Sequence, residues 1–263
     1  MKLGFIGAGN MGEAILKGIV SGGRVNSTSI FVRNSSDKST ENIARKYGIN
    51  FCVNLVEVAR SSDVVFLGVK PYLVAGILEE IKDELQGKII ISMAAAVEIG
   101  DIEDIVPSGK IVRIMPNTPV EVGKGVIGIT FNKKIEKNDQ INVLELFSNI
   151  GKTEIILEKD MQALTALSGS GPAYVYMFIE ALADGAVLNG LRRDVAYRLA
   201  ANTVLGAAQM VLETKKHPGE LKDDVCSPAG STIEAVKILE SKGFRSAVID
   251  CEYACYNKLK EMK

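Results

Sequence analysis

A glycine-rich turn near the start of the chain limits the possible folds more than any other feature. The hexapeptide Gly7-Ala8-Gly9-Asn10-Met11-Gly12 fits the pattern GxGxxG and directly follows a short apolar run at residues 2–7. An amphipathic helical pattern begins at the turn and stops at Gly22-Gly23. A strand, a glycine turn and a helix within about 30 residues predict the first unit of a Rossmann-type sheet. Its three glycines would allow a tight turn, a backbone open to a pyrophosphate and close packing of helix on strand.

Strands and helices continue to alternate up to about residue 155. Further apolar runs typical of strands occur at residues 29–33, 49–53, 63–69, 88–93 and 110–115, with possible edge strands at 126–130 and 153–157. This alternation predicts parallel βαβ units in a doubly wound sheet. From residue 160 onward the periodicity is helical. We therefore predict an α/β fold with a Rossmann-type, dinucleotide-binding domain over 1–158 and an all-helical domain over 159–263.

The charge and cysteine content exclude several classes of partner. The 31 Lys and Arg nearly balance the 32 Asp and Glu and are scattered along the chain. Proteins that bind nucleic acid or an anionic membrane usually need a basic face, so we expect neither partner. The four cysteines form no CxxC pair and the chain has one histidine, so we expect no metal site. We also expect no signal peptide and no membrane span, and hence a cytoplasmic protein.

The end of the second predicted strand indicates which dinucleotide binds. NAD-specific folds place an acidic residue there to bind the ribose 2′-hydroxyl. This chain has Arg33-Asn34-Ser35-Ser36 instead. An arginine with hydroxyl and amide donors suits a 2′-phosphate, so the sequence favours NADPH over NADH. The alternative is that Arg33 is a solvated surface charge.

Ligands of open α/β sheets bind beyond the carboxyl ends of the strands, which directs attention to three further segments. Val69-Lys70-Pro71 follows the fourth strand, and small residues that would let a nicotinamide lie close to the backbone, Ala94 and Ala95, follow the fifth. The sixth strand leads into Met115-Pro116-Asn117-Thr118-Pro119. Two prolines stiffen that loop, and we expect Asn117 to present its amide to the nicotinamide carboxamide or to a substrate.

The helical half contains a second candidate binding segment at residues 227–232. Ser231 and Glu234 have the spacing of a helix capping box, and we expect Ser231 to fill that role. The backbone N–H groups of Gly230, Ser231 and Thr232 would also suit a carboxylate at a helix N-terminus. The single histidine, His217, precedes Pro218-Gly219 in a polar turn, and we expect it to be structural or exposed rather than a catalytic acid.

One helix of this half lacks a polar face. Residues 195–212 are apolar or small on nearly every side. Such a helix is normally buried, and a domain of about a hundred residues has little room to bury it alone. We therefore expect a second subunit to cover it.

Taken together, the motifs of this chain closely resemble those of the pyrroline-5-carboxylate reductase family. The resemblance runs from Met1 to about Lys258 and rests on GFIGAGNMGEAI, GVKP, MPNTP, SGSGPAY, HPGELKDDVCSPAGSTIEA and GFRSAVI. It implies a Rossmann domain and a helical domain that interlocks in an obligate homodimer, assembled into decamers in some members. It also implies reduction of 1-pyrroline-5-carboxylate to L-proline with NADPH or NADH.

The resemblance also implies roles for individual residues. Thr232 matches the residue beside the ring nitrogen of the substrate, Gly230 and Ser231 match donors to its carboxylate, and Glu158 matches an acidic position near it. Positions that match cofactor contacts are Ser35, Asn54, Val69, Lys70, Pro71, Ala94 and Ala95. The chain departs from the family at Ala96, where glycine is common, and at Asp224, where several members have asparagine.

Two other functions remain open from the sequence. β-Hydroxyacid dehydrogenases share the two-domain plan but use a lysine on the helix after the interdomain loop, and this chain has no lysine between Tyr174 and Lys215. A protein that senses NADPH without catalysis is the second alternative. It would have little need for the candidate anion site at residues 228–232.

Overall fold

The computed structural model describes residues 1–261, and its first half is built on one eight-stranded sheet. The strands are β1 Leu3–Ile6, β2 Ile30–Arg33, β3 Asn50–Phe51, β4 Val64–Leu67, β5 Ile89–Ser92, β6 Lys110–Pro116, β7 Gly125–Phe131 and β8 Gly151–Ile155. Their order is β3-β2-β1-β4-β5-β6-β7-β8. All neighbours are parallel except β6 and β7, which pair antiparallel. The doubly wound sheet is confirmed, and its two possible edge strands are real but run opposite to the rest.

Helices connect the strands on both faces of this sheet. They are α1 Asn10–Ser21, α2 Asp37–Tyr47, α3 Leu55–Ser61, α4 Pro71–Ile81, α5 Ile99–Ile105 and α6 Lys137–Leu146. The central strands β1 and β4 are buried along their whole length, as expected for parallel strands covered on both faces. Phe5 and Phe66 stack on one face with ring centroids 4.5 Å apart, while Ile6 and Leu67 point into the core of the other.

The first compact unit extends past the boundary predicted at residue 158. It contains residues 1–169 together with the described residues from Lys258 onward, and the second unit contains residues 170–257. The short helix α7, Met161–Leu164, packs on the sheet: Met161 is buried, and a Cβ built on Gly128 of β7 would lie 2.6 Å from Leu164 Cδ1. Because α7 is buried against the sheet, the first unit ends at residue 169 and not at residue 158 as predicted.

The second unit is entirely helical, as the sequence predicts. Its helices are α8 Gly171–Leu188, α9 Arg193–Thr214, α10 Pro218–Val225, α11 Ser231–Ser241 and α12 Phe244–Glu261, the last of which ends within the residues assigned to the first unit. Its buried core is small and consists of Ala183, Ala196 and Ala200. No helix within residues 1–261 is both long enough and apolar enough to cross a membrane.

Candidate cofactor and substrate site

The turn between β1 and α1 shows why its glycines are needed. Gly7 has a left-handed φ of 83°, and a Cβ there would lie 2.6 Å from Val69 Cγ1. A Cβ on Gly12 would lie 2.7 Å from the carbonyl oxygen of Gly7, which confirms the close packing of helix on strand. A Cβ on Gly9 would meet nothing within 4 Å. The backbone at Gly9 therefore faces open space at the N-terminus of α1, where a phosphate group fits.

Two adjoining cavities lie at the carboxyl ends of β1, β2 and β4. The larger, about 620 Å³, is lined by Gly7, Ala8, Gly9, Asn10, Met11, Gly12, Asn34, Ser35, Ser39, Gly68, Val69, Lys70, Leu73 and Met93. The other, about 320 Å³, shares Gly7, Asn34, Ser35, Val69 and Leu73 with it and adds Ile6, Arg33, Val53, Asn54, Leu55, Ile77 and Glu80. Residues that line these cavities but were not predicted are Ile6, Ser39, Val53, Leu55, Gly68, Leu73, Ile77, Glu80 and Met93. We refer to both cavities together as the dinucleotide groove.

Most of the predicted cofactor residues line this groove, and four do not. Pro71, Ala94, Ala95 and Asn117 are absent from both linings. Pro71 is the first residue of α4, and Ala94 is buried two residues after the end of β5. Ala95 instead borders a separate small cavity together with Ala96 and Arg113.

Asn34 holds the glycine turn in place from within the fold. Its Oδ1 accepts a hydrogen bond from the backbone N–H of Ala8 at 2.7 Å, and its Nδ2 donates to Ser39 Oγ at 2.9 Å. The N–H of Ala8 is therefore already used. Anion binding falls to the first turn of α1, whose N–H groups have no acceptor within the helix.

Arg33 is held at the edge of the groove by an acidic partner. Its side chain is only 17% exposed, and Nη1 forms an ion pair with Asp37 Oδ1 at 2.5 Å. Arg33 is therefore not a freely solvated charge. Asp37 was not predicted as a partner of Arg33, although its position four residues later at a helix start could have indicated the pair. Asn54, also at the groove, accepts the backbone N–H of Glu57 through Oδ1 at 2.8 Å and so caps α3.

Asn117 has a structural role that corrects the prediction for it. The side chain is 6% exposed. Its Oδ1 accepts the backbone N–H of Val126 at 2.8 Å, and its Nδ2 donates to the carbonyl of Ser168 at 2.9 Å. Both ends of the amide are thus bound inside the fold. Asn117 therefore connects the start of β7 to the end of the first unit by hydrogen bonds, and its amide is not directed to a ligand.

Glu158 also has partners that the sequence did not indicate. Its Oε1 accepts the backbone N–H of Ile99 at 2.7 Å and a hydrogen bond from Arg113 Nη1 at 2.9 Å. The Arg113 side chain is 5% exposed, so its guanidinium is largely removed from water, while the Glu158 side chain is 29% exposed. Arg113 was missed because a lone arginine within an apolar strand carries no motif.

The segment before α11 differs from its prediction in two respects. The N-cap of α11 is Gly230, with extended backbone and no side-chain hydrogen bond, and Ser231 is already the first helical residue. The capping box predicted at Ser231 is therefore wrong. The N–H of Gly230 donates to the carbonyl of Ser227 at 3.0 Å and is also occupied. The first-turn N–H groups of Ser231 and Thr232 remain directed out of the helix end.

Two other polar residues of the helical unit, His217 and Tyr174, interact with neighbouring groups of the same unit. His217 caps α10: its Nδ1 accepts the backbone N–H of Gly219 at 3.0 Å, which confirms the expected structural role. Burial raises the pKa of Tyr174 to about 12, with smaller contributions from Cys255. Within residues 1–261, no three His, Cys, Asp or Glu side chains are grouped as a metal site would require.

Comparison with known proteins identifies the relatives of both units. Residues 2–96 match the family model described as NADP oxidoreductase, coenzyme F420-dependent. Residues 158–262 match the model described as pyrroline-5-carboxylate reductase dimerisation. The first match covers the glycine turn and every residue that lines the groove, and the second covers the helical unit.

Full-length relatives agree with these matches. The chain is 44% identical to an Escherichia coli pyrroline-5-carboxylate reductase, over 99% of this chain and 98% of the relative. Among solved structures it is similar to a Coxiella burnetii pyrroline-5-carboxylate reductase (TM-score 0.92, 35% identity, 100% and 98% of the two chains covered). It is also similar to a Plasmodium falciparum pyrroline carboxylate reductase with NADP bound (TM-score 0.89, 36% identity, the same coverage). The chain therefore belongs to the pyrroline-5-carboxylate reductase family.

Proposed function

We propose that this chain reduces 1-pyrroline-5-carboxylate to L-proline, the last step of proline biosynthesis, with a nicotinamide dinucleotide as the reductant. The observation that carries this proposal is the 44% identity to the Escherichia coli reductase over 99% of the chain. The dinucleotide groove supports it, because the open backbone at Gly9 and the N-terminus of α1 suit a pyrophosphate. When bound, the reduced nicotinamide supplies a hydride to the imine carbon of the substrate.

The groove favours NADPH while leaving NADH possible. Arg33, Ser35 and Asn54 border the same cavity and offer a guanidinium, a hydroxyl and an amide. Together they suit a 2′-phosphate better than a free ribose. Residues 34–36, which follow β2 directly, are not acidic, and the first carboxylate after them along the chain, Asp37, is held by Arg33. Glu80 also lines this cavity.

We propose that the substrate binds at the start of α11. The N–H groups of Ser231 and Thr232 are oriented as anion donors, and we assign them to the substrate carboxylate. The Thr232 hydroxyl then orients the ring nitrogen. The imine is basic enough to arrive protonated, so Thr232 need not act as an acid, a role for which a hydroxyl is poorly suited.

The helical unit supports an oligomeric protein. It matches the dimerisation model of the family, and α9 exposes large apolar side chains in the single chain, among them Leu199, Leu205 and Leu212. We propose a homodimer, with decamers as the larger assembly known for the family. We further propose that it acts in the cytoplasm, where reduced nicotinamide cofactors and biosynthetic substrates are found.

A turnover assay tests the proposed reaction directly. We expect NADPH absorbance to fall when 1-pyrroline-5-carboxylate is added, with L-proline formed in equal amount. The control is Gly12→Leu, whose side chain meets the Gly7 carbonyl and blocks the turn. Oxidation of a β-hydroxyacid with NADP⁺ would instead support the dehydrogenase alternative. Tight NADPH binding with no turnover would support a sensor.

A further inference from the structure

Arg113 is a buried charge in the middle of the sheet that needs a partner. It lies on β6 between Ser92 of β5 and Thr130 of β7, and its side chain is 5% exposed. A buried guanidinium is costly unless it is paired and hydrogen-bonded. Glu158 supplies the ion pair, at 2.9 Å from Nη1. The Nε of Arg113 has no hydrogen-bond partner among the described residues, so Arg113 relies strongly on this one carboxylate.

Glu158 connects this charge to the loop that follows β5. The same oxygen that accepts from Arg113 also accepts the backbone N–H of Ile99, at 2.7 Å. Ile99 is the first residue of α5, so the bond fixes the point where the loop of residues 93–98 enters that helix. Other hydrogen bonds of this loop run from the N–H of Glu98 to Asp101 Oδ2, from the N–H of Ala94 to Ser92 Oγ at 3.4 Å, and from the N–H of Met93 to the carbonyl of Leu67 on β4 at 3.2 Å.

The loop of residues 93–98 requires external support because its backbone is strained. Ala96 has a left-handed φ of 64°, which costs an L-residue with a Cβ free energy that surrounding contacts must offset. Ala95 and Ala96 also border the same small cavity as Arg113. The loop begins at Met93, which lines the dinucleotide groove. This loop therefore borders the groove at Met93 and the cavity of Arg113 at Ala95 and Ala96.

We infer that Arg113 and Glu158 are positioning residues for the reductase reaction, whose ion pair fixes the loop of residues 93–98 at the nicotinamide end of the dinucleotide groove. Glu158 acts on this loop through the hydrogen bond that it accepts from the N–H of Ile99. The inference rests on the proposed function only for its kinetic consequence. The ordering of the loop by the ion pair does not depend on which ligand the groove binds.

The test compares Glu158→Gln with wild-type enzyme. Glutamine leaves the buried guanidinium of Arg113 without a counter-charge, so the side-chain oxygen that accepts the N–H of Ile99 is no longer held in place by the ion pair. Because misplacement of reacting groups slows a hydride transfer steeply, we expect kcat to fall about tenfold or more. The KM for 1-pyrroline-5-carboxylate should stay within about twofold. The primary isotope effect with C4-deuterated NADPH should rise, since hydride transfer becomes more rate-limiting.

A second readout does not require turnover. Amide hydrogen exchange of residues 93–99, measured by mass spectrometry, should be faster in Glu158→Gln than in wild type. The matched control is Asp139→Asn, which breaks the Lys110–Asp139 pair (2.7 Å) at the first residue of β6. It should leave kcat and the exchange of residues 93–99 unchanged. If wild-type enzyme did not reduce the substrate, the proposed function would fail while the exchange result still decided the inference.

A double variant covers the case in which a single variant does not fold. Arg113→Met with Glu158→Gln leaves no unpaired buried charge. Its kcat should be as low as that of either single variant, because both act through one loop. Wild-type kcat in the double variant would overturn the inference. So would a Glu158→Gln enzyme with unchanged kcat and a raised KM for the substrate, since that pattern marks a substrate contact.

Discussion

At the scale of single residues, strain is concentrated in the loops assigned to ligands. Among the described residues three non-glycine residues have a positive φ, and two of them are Ala96 and Ala229. Ala96 lies in the loop after β5, and Ala229 directly precedes the N-cap of α11. The family commonly has glycine at the position of Ala96, and the φ of 64° gives the physical reason.

Replacing Ala96 by glycine should stabilise the protein. Relief of the left-handed Cβ strain outweighs the extra freedom that glycine gives the unfolded chain, for a net gain of about 0.5–1 kcal/mol. Calorimetry should show a melting temperature higher by about 1–4 °C. Ala75→Gly, at an exposed position of α4, is the control and should lower stability by about 1 kcal/mol. A lower melting temperature for Ala96→Gly would contradict the strain argument.

Thr232 should contribute to the chemical step and not only to binding. Its hydroxyl is assigned to the ring nitrogen, where the charge changes during hydride transfer, and only such changing interactions alter kcat. Thr232→Ala should lower kcat by about tenfold or more, whereas Thr232→Ser should keep much of it. NADPH affinity should hardly change in either variant. A raised KM with intact kcat in Thr232→Ala would make Thr232 a binding residue.

Arg33 and its partner Asp37 should set cofactor preference in opposite directions. Arg33→Asp removes a charge-assisted contact to the 2′-phosphate and should weaken NADPH binding about tenfold or more, with little effect on NADH. Asp37→Asn frees Arg33 and removes a repulsive carboxylate. Because Asp37 is 75% exposed, the gain for NADPH should be only about two- to threefold. Both effects can be measured by titrating each variant with NADPH and with NADH. Equal losses of NADPH and NADH affinity in Arg33→Asp would exclude recognition of the 2′-phosphate by Arg33.

At the scale of elements, the groove depends on how closely α1 approaches the sheet. Gly12 of α1 packs against the Gly7 carbonyl, and a Cβ on Gly68 would lie 2.1 Å from that same oxygen. Backbone therefore meets backbone where β1, α1 and the end of β4 converge. No flexible side chain is available there to absorb an added methyl group.

Gly12→Ala should therefore destabilise the Rossmann unit. The new Cβ would lie 2.7 Å from a carbonyl oxygen, and the forced shift should cost about 1–3 kcal/mol and weaken NADPH binding. Gly76→Ala is the matched control, because Gly76 lies in α4 with no atom within 4 Å of its built Cβ. That variant should gain about 1 kcal/mol from helix propensity. Denaturant unfolding measures both, and equal effects of the two changes would disprove the close-packing argument.

At the scale of the whole molecule, the helical unit is incomplete as a single chain. Its buried core contains three alanines, while α9 exposes Leu205 to 60% and Leu212 to 73%. An apolar surface of this kind is normally covered by another chain. The family match over residues 158–262 names dimerisation, in agreement with this expectation.

Assembly should accordingly be coupled to folding. Light scattering at micromolar concentration should show a dimer or a larger assembly, and dilution should unfold the helical unit as it dissociates. Leu205→Glu, on α9, should abolish assembly, whereas Ile141→Glu, on α6 of the first unit, should not. A folded monomer at nanomolar concentration, seen by circular dichroism and scattering, would refute the proposal.

The sequence by itself determined the features that follow from local pattern. Strand and helix periodicity, the glycine turn and the apolar helix at residues 195–212 predicted the fold class, the groove and the exposed face of α9, because each signal lies within a short segment. Only the tertiary structure decided the partners of single polar side chains. Asn117 proved to bind Val126 and Ser168, and Glu158 proved to pair with Arg113. The contacts of Asn117 with Ser168 and of Glu158 with Arg113 join residues 51 and 45 positions apart in the chain. The order of the strands in the sheet brings such residues together, and no local sequence pattern encodes that order.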